Sequence, residues 1–423
     1  MAENAQAGEW IDAAAAARRL GVKPATLYAY VSRGVLRRRR DPDGRRSLFD
    51  AAEVEELARR GRPRRPPGPA ELVIESSVTA LGADRPYYRG RDALELAGER
   101  PFEAVAAWLW TGEPGSGEAG RWRASREGLA AAVAAQSGLP ADLLPLDRLQ
   151  VITTALAATD PLRFHLDRPG VIATARALIA GLVDALPRVE PAAPSVAPPA
   201  GGGGAPAGGE GEGTIAERLW GRLCGAPPSP GLMRALQAAL VLMADHELAA
   251  STLAARVAAS VRADPYAVVA AGLGVLSGPL HGGASYGAEL MLAEIGEPGR
   301  ASRVIGERLR GGQRIPGLGH SVYKAGDARF TRLYELVCDA APGHRRLDVV
   351  AAVLAEAERR RLPAPNSDMA LAALTSVAGM VPGAGEVVFA VARTAGWIAH
   401  ALEEYGRSGP LRPRAVYTGP PPT

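Results

Sequence analysis

Residues 314–330 read RIPGLGHSVYKAGDARF. In this stretch His320 follows a Gly-Leu-Gly triplet, and a lysine, an aspartate and an arginine come after it at Lys324, Asp327 and Arg329. Glycines beside a histidine let a backbone or a substrate approach the ring closely, because glycine has no Cβ. The stretch predicts a loop with a chemical role, and the segments on either side of it are similar in character.

Two earlier segments place histidines in comparable surroundings. Residues 278–289, GPLHGGASYGAE, hold His281 between a Gly-Pro and a Gly-Gly pair, and residues 244–260, ADHELAASTLAARVAAS, hold His246 between two carboxylates. The chain has only six histidines, and three of them lie in these three segments. One histidine beside glycine is at least as often a structural loop residue, so the segments predict a site only as a set.

Downstream segments add a carboxylate and arginines. APNSDMALAALTSVAGM (364–380) places Asp368 at the start of a predicted helix, ARTAGWIAHALEE places Arg393 on another helix, and PLRPRAVYTGP contains Arg412. Guanidinium groups hold carboxylates through paired hydrogen bonds. A carboxylate with a raised pKa can act as a general base, and a histidine can stabilise the enolate that results. The set predicts a site that binds a dicarboxylate and removes a carbon-bound proton.

Helical spacing of apolar residues dominates the chain after residue 100, with few candidate strands. Long Ala- and Leu-rich helices predict an all-α body, and residues 75–97 are the best candidate for a β-hairpin. The helical segments are FEAVAAWLW, DRLQVITTALAA, GVIATARALIAGLVDAL, PGLMRALQAALVLMADHEL and LDVVAAVLAEAERR.

Two compositional breaks divide the chain. RGRPRRPPGPA, which ends at residue 70, is too rich in proline to continue a helix and predicts a linker over residues 61–70. Residues 187–213 contain almost no large apolar side chain, so we expect a flexible insertion there. The chain then has a first domain over residues 1–60 and a body over residues 71–423.

Composition excludes several classes of protein. The 423 residues are 47% hydrophobic and 22% charged, which excludes a disordered chain. No apolar run reaches the ~20 residues of a membrane-spanning helix, and MAENAQAGEW lacks the features of a signal peptide. Two cysteines, Cys224 and Cys338, supply neither a disulfide framework nor a zinc site. We therefore expect a cytoplasmic protein with no metal.

The first 70 residues are basic, with 15 Lys and Arg against nine Asp and Glu, although the whole chain has a formal charge of only +4. Residues 11–21 and 25–34 predict two short helices joined by a tight turn, the arrangement of a helix-turn-helix. Residues 35–50, VLRRRRDPDGRRSLFD, predict a hairpin wing, and residues 51–60 a third helix. This pattern resembles the MerR-like and excisionase-like winged helix-turn-helix modules.

The resemblance implies that Lys23, Thr26, Tyr28 and Arg33 lie on or near a recognition helix that binds DNA. Arg37–Arg40, Arg45 and Arg46 would then reach phosphates. The alternative is a helical protein-interaction module whose arginines only face solvent. Useful affinity for DNA would need a dimer that presents two copies.

The ordered motifs of the body closely resemble the citrate synthase family over residues 71–419. GPLHGGA, GLGHSVYKAGDAR and ARTAGWIAH are near-complete matches. The resemblance implies an all-α fold with a large domain and a small domain, roughly residues 283–382, that closes over substrate. It also implies a homodimer with shared active sites and an acyltransferase that converts the acyl group to an alkyl group on transfer, without a cofactor.

Carried over position by position, the family's mechanism gives each residue a role. Asp368 would take a proton from the methyl group of acetyl-CoA, His281 would hydrogen-bond the thioester oxygen, and His320 would polarise the carbonyl of oxaloacetate. The residues expected to hold the oxaloacetate carboxylates are His246, Arg329, Arg393 and, from a partner subunit, Arg412. The residues expected at CoA are Ile315, Pro316, Gly317, Leu318, Gly319 and Lys324.

Departures from the family pattern leave three functions open. The usual Asn-Val-Asp-Phe-Tyr-Ser-Gly becomes Asn-Ser-Asp-Met-Ala-Leu around Asp368, Ser321 stands where many relatives have arginine, and Ala328 replaces a proline. The chain is then a citrate synthase, a 2-methylcitrate synthase-like enzyme that uses propionyl-CoA, or a DNA-binding regulator whose body senses CoA esters or dicarboxylates. Retention of His281, His320 and Asp368 favours the enzymes, and the basic first domain favours the regulator.

Overall fold

The computed structural model describes residues 10–32, 35–41, 43, 46–59, 73–113, 121–190 and 212–413. Its described residues fall into two compact units, which we call the head (residues before Glu75) and the body (Glu75–Pro413). The expected linker over residues 61–70 and most of the expected insertion over residues 187–213 lie outside the described residues. No helix in the described ranges is both long and apolar enough to cross a membrane.

The head is a small helical unit with a three-stranded sheet, as the winged helix-turn-helix pattern predicts. Its antiparallel strands have the order β1-β3-β2, and Leu27, Phe49 and Val54 are fully buried in its core. The sequence did not indicate β1, whose Trp10 pairs with Asp50. The elements are β1 (Trp10–Asp12), α1 (Ala13–Leu20), α2 (Pro24–Ser32), β2 (Arg38–Arg40), β3 (Ser47–Asp50) and α3 (Ala51–Arg59).

The body begins with the expected hairpin, but the hairpin is shorter than predicted. Strands β4 (Thr79–Leu81) and β5 (Pro86–Tyr88) are antiparallel, and Gly82 N–H donates to the carbonyl of Arg85 across the turn. A two-residue strand, β6 (Arg91–Asp92), pairs with β5. The side chain of Asp92 then caps helix α4 (Ala93–Glu99), so the last part of residues 75–97 is helical rather than extended.

Helices form the rest of the described body, and polar caps fix many of their starts, such as Ser229 and Asp264. A short 3-10 turn, Pro298–Arg300, precedes α14. The helices are α5 (Phe102–Thr111), α6 (Arg126–Ala134), α7 (Pro145–Thr159), α8 (Arg168–Asp184), α9 (Ile215–Leu223), α10 (Pro230–Met243), α11 (Ala250–Ser260), α12 (Pro265–Leu276), α13 (Gly283–Ile295), α14 (Ala301–Arg310), α15 (Ala328–Ala340), α16 (Arg345–Arg359), α17 (Ser367–Ala378) and α18 (Ala384–Tyr405).

Helix α18 runs through the centre of the body. Every residue of this helix except Glu403 is buried, and it packs against α5, α7, α8, α10–α13 and α17. A helix that is apolar on all sides belongs in a core. The polar residues that α18 does carry, Arg393 and His400 among them, must therefore find partners inside the protein.

The helical pattern over residues 230–248 breaks earlier than its apolar spacing predicts. Helix α10 ends at Met243, and the chain turns with Glu247 in the left-handed region (φ 54°). The turn forms because α18 supplies the partners that a continued helix would have supplied: Gly396 N–H donates to the carbonyl of Ala244. This turn places His246 beside the loop that contains His320.

Candidate active site

Five parts of the body supply the predicted site residues. His246 lies in the turn after α10, His281 just before α13, Asp368 in the first turn of α17, and Arg393 in the middle of α18. The loop before α15 contributes His320, and the first turn of α15 contributes Arg329, which lies 3.3 Å from His320 Nε2 through one of its terminal nitrogens. Ring centroids of His246 and His320 are 5.2 Å apart.

Arg329 is held rigidly by Asp327. The guanidinium donates from Nε to Oδ1 at 2.9 Å and from a terminal nitrogen to Oδ2 at 2.8 Å, with both side chains almost fully buried. Burial opposes the charge on Arg329, but Asp327 outweighs it and raises the pKa of the guanidinium above its usual value. Asp327 also accepts from the backbone N–H of Ser367, so one carboxylate joins the arginine to the start of α17.

His320 is neutral, and we assign its proton to Nε2, because two backbone donors at Nδ1 outweigh the single, longer contact of 3.3 Å from Arg329 to Nε2. The backbone N–H groups of Val322 and Tyr323 donate to Nδ1 at 3.0 and 3.1 Å, so that nitrogen is the acceptor. Burial and the charge of Arg329 lower the pKa of His320 to about 4. The ring therefore presents a neutral N–H donor at Nε2, and it stacks on Tyr323 with centroids 4.7 Å apart.

His246 is also neutral. It is buried, and its Nε2 lies 3.1 Å from the hydroxyl of Tyr323. Burial and the nearby charges of Arg329 and Arg393 lower its pKa well below the usual value. The two histidines and Tyr323 thus form one uncharged group of hydrogen-bonding side chains beside Arg329.

Arg393 lies close enough to His246, His281 and Asp368 for its charge to act on all three. Its Nε donates to the carbonyl of Met243 at 2.9 Å, and its guanidinium lies 4.5 Å from the ring centre of Phe389. The terminal nitrogens have no hydrogen-bond partner among the described residues. Burial lowers the pKa of Arg393 to about 10, so the group remains charged near neutral pH.

His281 is oriented by a serine that the sequence analysis missed. Ser251 Oγ accepts from Trp397 Nε1 at 3.3 Å and lies 2.7 Å from His281 Nε2, and we assign its hydroxyl proton to the bond with the histidine. The proton of the neutral ring is then on Nδ1. Burial and Arg393 lower the pKa of His281 to about 4. Linear spacing gives no signal for this pair, because 30 residues separate Ser251 from His281.

Asp368 has the environment of a general base. Its side chain is half-buried, has no hydrogen-bond partner among the described residues, and follows the N-cap Asn366. Burial raises the pKa of Asp368 to about 7, and the charge of Asp327 adds to this effect. A carboxylate whose pKa lies near neutrality is ionised and still basic enough to remove a proton.

The loop from Ile315 to Gly319 is pinned to the segment that leads into α17. Gly319 N–H donates to the carbonyl of Ala364 at 2.7 Å, and Asn366 donates to the carbonyls of Gly317 and Gly319. Both glycines have positive φ. Gly317 packs so closely on Met369 that a Cβ would lie 2.8 Å from the methionine methyl group. The loop with His320 and the helix with Asp368 are therefore fixed together.

Two predicted residues lie outside this cluster. Lys324 is exposed, and its Nζ donates to the carbonyl of His320 at 3.0 Å. Arg412 is exposed and makes no contact with the cluster within the described chain; its neighbour Leu411 donates from its backbone to Ser260. The described residues contain no group of His, Cys, Asp or Glu that could hold a metal ion.

In the head, Lys23 and Arg46 are exposed, Tyr28 is 41% exposed, and Thr26 is half-buried. Arg33 and Arg45 lie outside the described residues. Arg38 lies over the ring of Tyr28, 5.6 Å from its centre.

Arg37, which the sequence groups with the arginines expected to reach phosphates, makes ion pairs within the head. Its guanidinium bonds Glu53 at 2.5 Å and Asp50 at 2.8 Å. The chain places these two carboxylates beside β2, so they neutralise the first arginine of the run.

Comparisons with known proteins agree with this geometry. The model of the family described as citrate synthase, C-terminal domain, matches residues 70–414, and a helix-turn-helix domain model matches residues 10–62. A 2-methylcitrate synthase of Mycobacterium tuberculosis is 30% identical over 371 residues, which cover 85% of this chain and 91% of that protein.

A citrate synthase 2 of Bacillus subtilis is 40% identical over 213 residues, 49% of this chain and 56% of that protein, so that alignment spans little more than half of the relative. Among solved structures, a citrate synthase from Thermotoga maritima superimposes with a TM-score of 0.67 at 26% identity. The superposition covers 83% of this chain and 95% of that one. The all-α prediction for the body is confirmed.

Proposed function

The chain belongs to the citrate synthase family, and we propose that it condenses acetyl-CoA with oxaloacetate to give citrate and CoA. The observation that carries the proposal is the placement of Asp368 in the first turn of α17, where burial raises its pKa to about 7, in a site that also holds two neutral histidine donors. A base, an enol-stabilising donor and a carbonyl-polarising donor are the groups that this carbon–carbon bond formation requires.

In the first step, Asp368 removes a proton from the methyl group of acetyl-CoA. The electrons of that C–H bond form the enolate, whose oxygen accepts a hydrogen bond from Nδ1 of His281. Ser251 supports this role because its hydroxyl occupies Nε2 and leaves the proton of the ring on Nδ1. A neutral imidazole still carries one N–H, and it stabilises the oxygen by hydrogen bonding.

In the second step, the enol carbon attacks the carbonyl of oxaloacetate while Nε2–H of His320 polarises its oxygen. The two backbone donors on Nδ1 support this role, since they leave Nε2 as the proton-bearing nitrogen. The new C–C bond turns the carbonyl oxygen into an alkoxide, and a proton equivalent to the one that Asp368 removed returns to this oxygen to give citryl-CoA. Water then adds to the thioester and the C–S bond breaks. The sulfur takes one proton of that water and leaves as the thiol of CoA.

The charges of the site support a second subunit. Arg329 and Arg393 carry positive charge, but Asp327 pairs with the first and Asp245 lies near the second. An acceptor with two carboxylates needs a further cation beyond these balanced pairs. We assign it to Arg412 of a second copy of this chain, which makes the enzyme a homodimer with shared sites.

The acyl-CoA would lie along residues 315–319, whose tight turns bring backbone groups close to a ligand. Lys324 is exposed beside this loop and can meet the phosphates of CoA. In this proposal acetyl-CoA is a substrate, no cofactor is required, and the enzyme acts in the cytoplasm. Residues 283–382 would form the small domain that closes over both substrates.

Two alternatives have specific support. The M. tuberculosis relative is named a 2-methylcitrate synthase, and the substitutions around Asp368, including Met369, alter the surroundings of the acyl group. Propionyl-CoA is therefore the competing donor. The helix-turn-helix domain supports a DNA-binding regulator in which the body senses its ligands, and closure in a dimer could change the spacing of two heads.

The test measures release of the CoA thiol by the full chain with acetyl-CoA or propionyl-CoA and oxaloacetate. Asp368→Asn keeps the shape of the side chain but removes the base, so we expect the rate to fall by about a thousandfold. A faster rate with propionyl-CoA would establish the second function. Ligand binding by wild type and variant without any thiol release would overturn the enzyme and leave the sensor.

A further inference from the structure

One face of helix α18 makes hydrogen bonds to the turn that contains His246. Arg393, Gly396 and His400 follow one another at helical spacings of three and four, so they point to the same side. Arg393 binds the carbonyl of Met243, and Gly396 binds that of Ala244. Gly396 is obligatory here, because a Cβ would lie 2.3 Å from Asp245 Oδ1.

The third residue of this face, His400, contacts the carboxylate of Asp245. Its Nε2 lies 3.3 Å from Asp245 Oδ2, and both side chains have no exposed surface. The same oxygen accepts from the backbone N–H of Glu247 at 3.1 Å. Glu247 has the left-handed backbone that L-residues adopt at a cost, so the bond from Asp245 helps to keep the turn in place.

The ring of His400 is itself fixed from the other side. A terminal nitrogen of Arg256 donates to Nδ1 at 2.7 Å, which makes Nδ1 the acceptor and leaves the proton on Nε2, facing Asp245. Arg256 has no exposed surface and bonds Glu403 at 2.7 Å and Glu404 at 2.7 Å through Nε. The series Glu404–Arg256–His400–Asp245 is thus a continuous chain of hydrogen bonds.

Asp245 is the point where this chain reaches the charges of the site. Burial opposes its ionisation, but His400 and Arg393 outweigh burial and hold the pKa of Asp245 below its usual value. Its carboxylate in turn favours the charged form of Arg393. The next residue is His246, which faces His320.

We infer that His400 is a positioning residue for acceptor binding, which acts by donating to Asp245 and so fixing the turn that places His246 beside Arg393. His400 does not touch the substrate in this assignment. The inference rests on the proposed function, because oxaloacetate is the ligand that His246 and Arg393 would hold.

Substitution of His400 by asparagine or by glutamine separates the effects of its two hydrogen bonds, to Arg256 and to Asp245. The amide of asparagine reaches the position of Nδ1 and can still accept from Arg256, but it cannot reach Asp245. The longer glutamine places an N–H near the position of Nε2 and retains the donor to Asp245. His165→Asn, at an exposed histidine between α7 and α8, is the matched control.

For the full chain we expect His400→Asn to raise the KM for oxaloacetate about tenfold, because a displaced binding group weakens alignment of its ligand. The kcat and the KM for acetyl-CoA should change by less than about twofold, since neither depends on the turn to the same degree. His400→Gln should recover most of the lost affinity, and His165→Asn should match wild type. If His400→Asn yields no folded protein, the isosteric Asp245→Asn carries the same expectation.

An unchanged KM for oxaloacetate in His400→Asn would overturn the inference. The inference would also be overturned if the Asn and Gln variants both showed a lower kcat, a higher KM for both substrates and a lower melting temperature. That result would indicate a purely structural role for His400. Calorimetric titration with oxaloacetate separates this result from a failure of the proposed function. A wild type that binds oxaloacetate without releasing thiol refutes the function, and the Kd of His400→Asn then decides the inference; a wild type that binds none refutes both.

Discussion

Two arginines of this chain make similar ion pairs in opposite surroundings. Arg37 of the head binds Asp50 and Glu53, and its side chain is 70% exposed. Arg256 of the body binds Glu403 and Glu404, and its side chain is fully buried. The chemistry is the same, but water competes for the first set of bonds and is excluded from the second.

This difference in exposure to water gives the head and the body different functional capacities. In the body, buried ion pairs such as those of Arg256 and Arg329 hold their side chains in fixed positions, which suits a site for chemistry. In the head, basic side chains such as Lys23 and Arg46 remain in water, where they can meet the phosphates of a partner. We therefore expect substitutions in the body to have large local effects and those in the head to have small ones.

The sharpest test exchanges each arginine for methionine. Arg256→Met leaves buried carboxylates without a partner, so we expect a loss of about 3–5 kcal/mol in the free energy of unfolding. Arg37→Met should lose far less than Arg256→Met, because exposed ion pairs contribute little to stability. Chemical denaturation of the full chain, followed by far-UV circular dichroism, measures both. Equal losses would break the comparison.

The next effect concerns substrate. Arg393→Lys removes the bond from Nε to Met243 and the planar fork that holds a carboxylate, so we expect the KM for oxaloacetate to rise about a hundredfold. The same exchange at Arg303, which is exposed on α14, is the control and should leave the kinetics unchanged. A lysine at residue 393 that binds oxaloacetate as well as arginine does would exclude a carboxylate contact.

Much of this contrast was visible in the sequence. The apolar spacing and the positions of proline and glycine predicted the helical body. The motifs around His281, His320 and Asp368 indicated most of the candidate site residues, because these signals are local in the sequence. Ser251 and His400 gave no local signal as functional residues. Their roles depend on α11 and α18 packing together, which only the three-dimensional arrangement reveals.

The end of α10 was predicted wrongly for the same reason. Residues 244–248 continue the apolar spacing of the helix, but α18 and Asp245 supply hydrogen bonds that favour a turn. The ion pairs of Arg37 were not visible in the sequence, because three arginines follow it whereas its carboxylate partners come from β3 and α3. Tertiary partners decided both outcomes.

The ionisation of Asp368 links the activity of the protein to its free energy of unfolding. Its pKa of about 7 exceeds that of an unfolded aspartate, so between about pH 4 and 7 the folded state binds more protons than the unfolded state. Stability therefore falls as the pH rises through this window, while kcat/KM rises because the base becomes ionised. Asp368→Asn should raise the free energy of unfolding by about 4 kcal/mol at pH 8 and have little effect at pH 4.

Denaturation at both pH values measures this prediction, with the exposed Asp339→Asn on α15 as control. If Asp368→Asn lowers the free energy of unfolding equally at pH 4 and pH 8, burial does not destabilise the ionised carboxylate of Asp368 in the folded state.

The smallest expected effect is a change in the DNA affinity of the head when Arg46 is replaced. Arg46 is exposed in the wing beside Ser47, and its side chain has no partner among the described residues, so it is available to one phosphate. If the full chain binds a DNA duplex, Arg46→Ala should weaken binding alike for all sequences. It should also reduce the slope of log affinity against log salt by about 1. Arg303→Ala in the body should leave that slope unchanged. Since one phosphate contact is exposed and screened, a slope reduced by several units would mean that Arg46 organises the head instead, as Arg256 does the body.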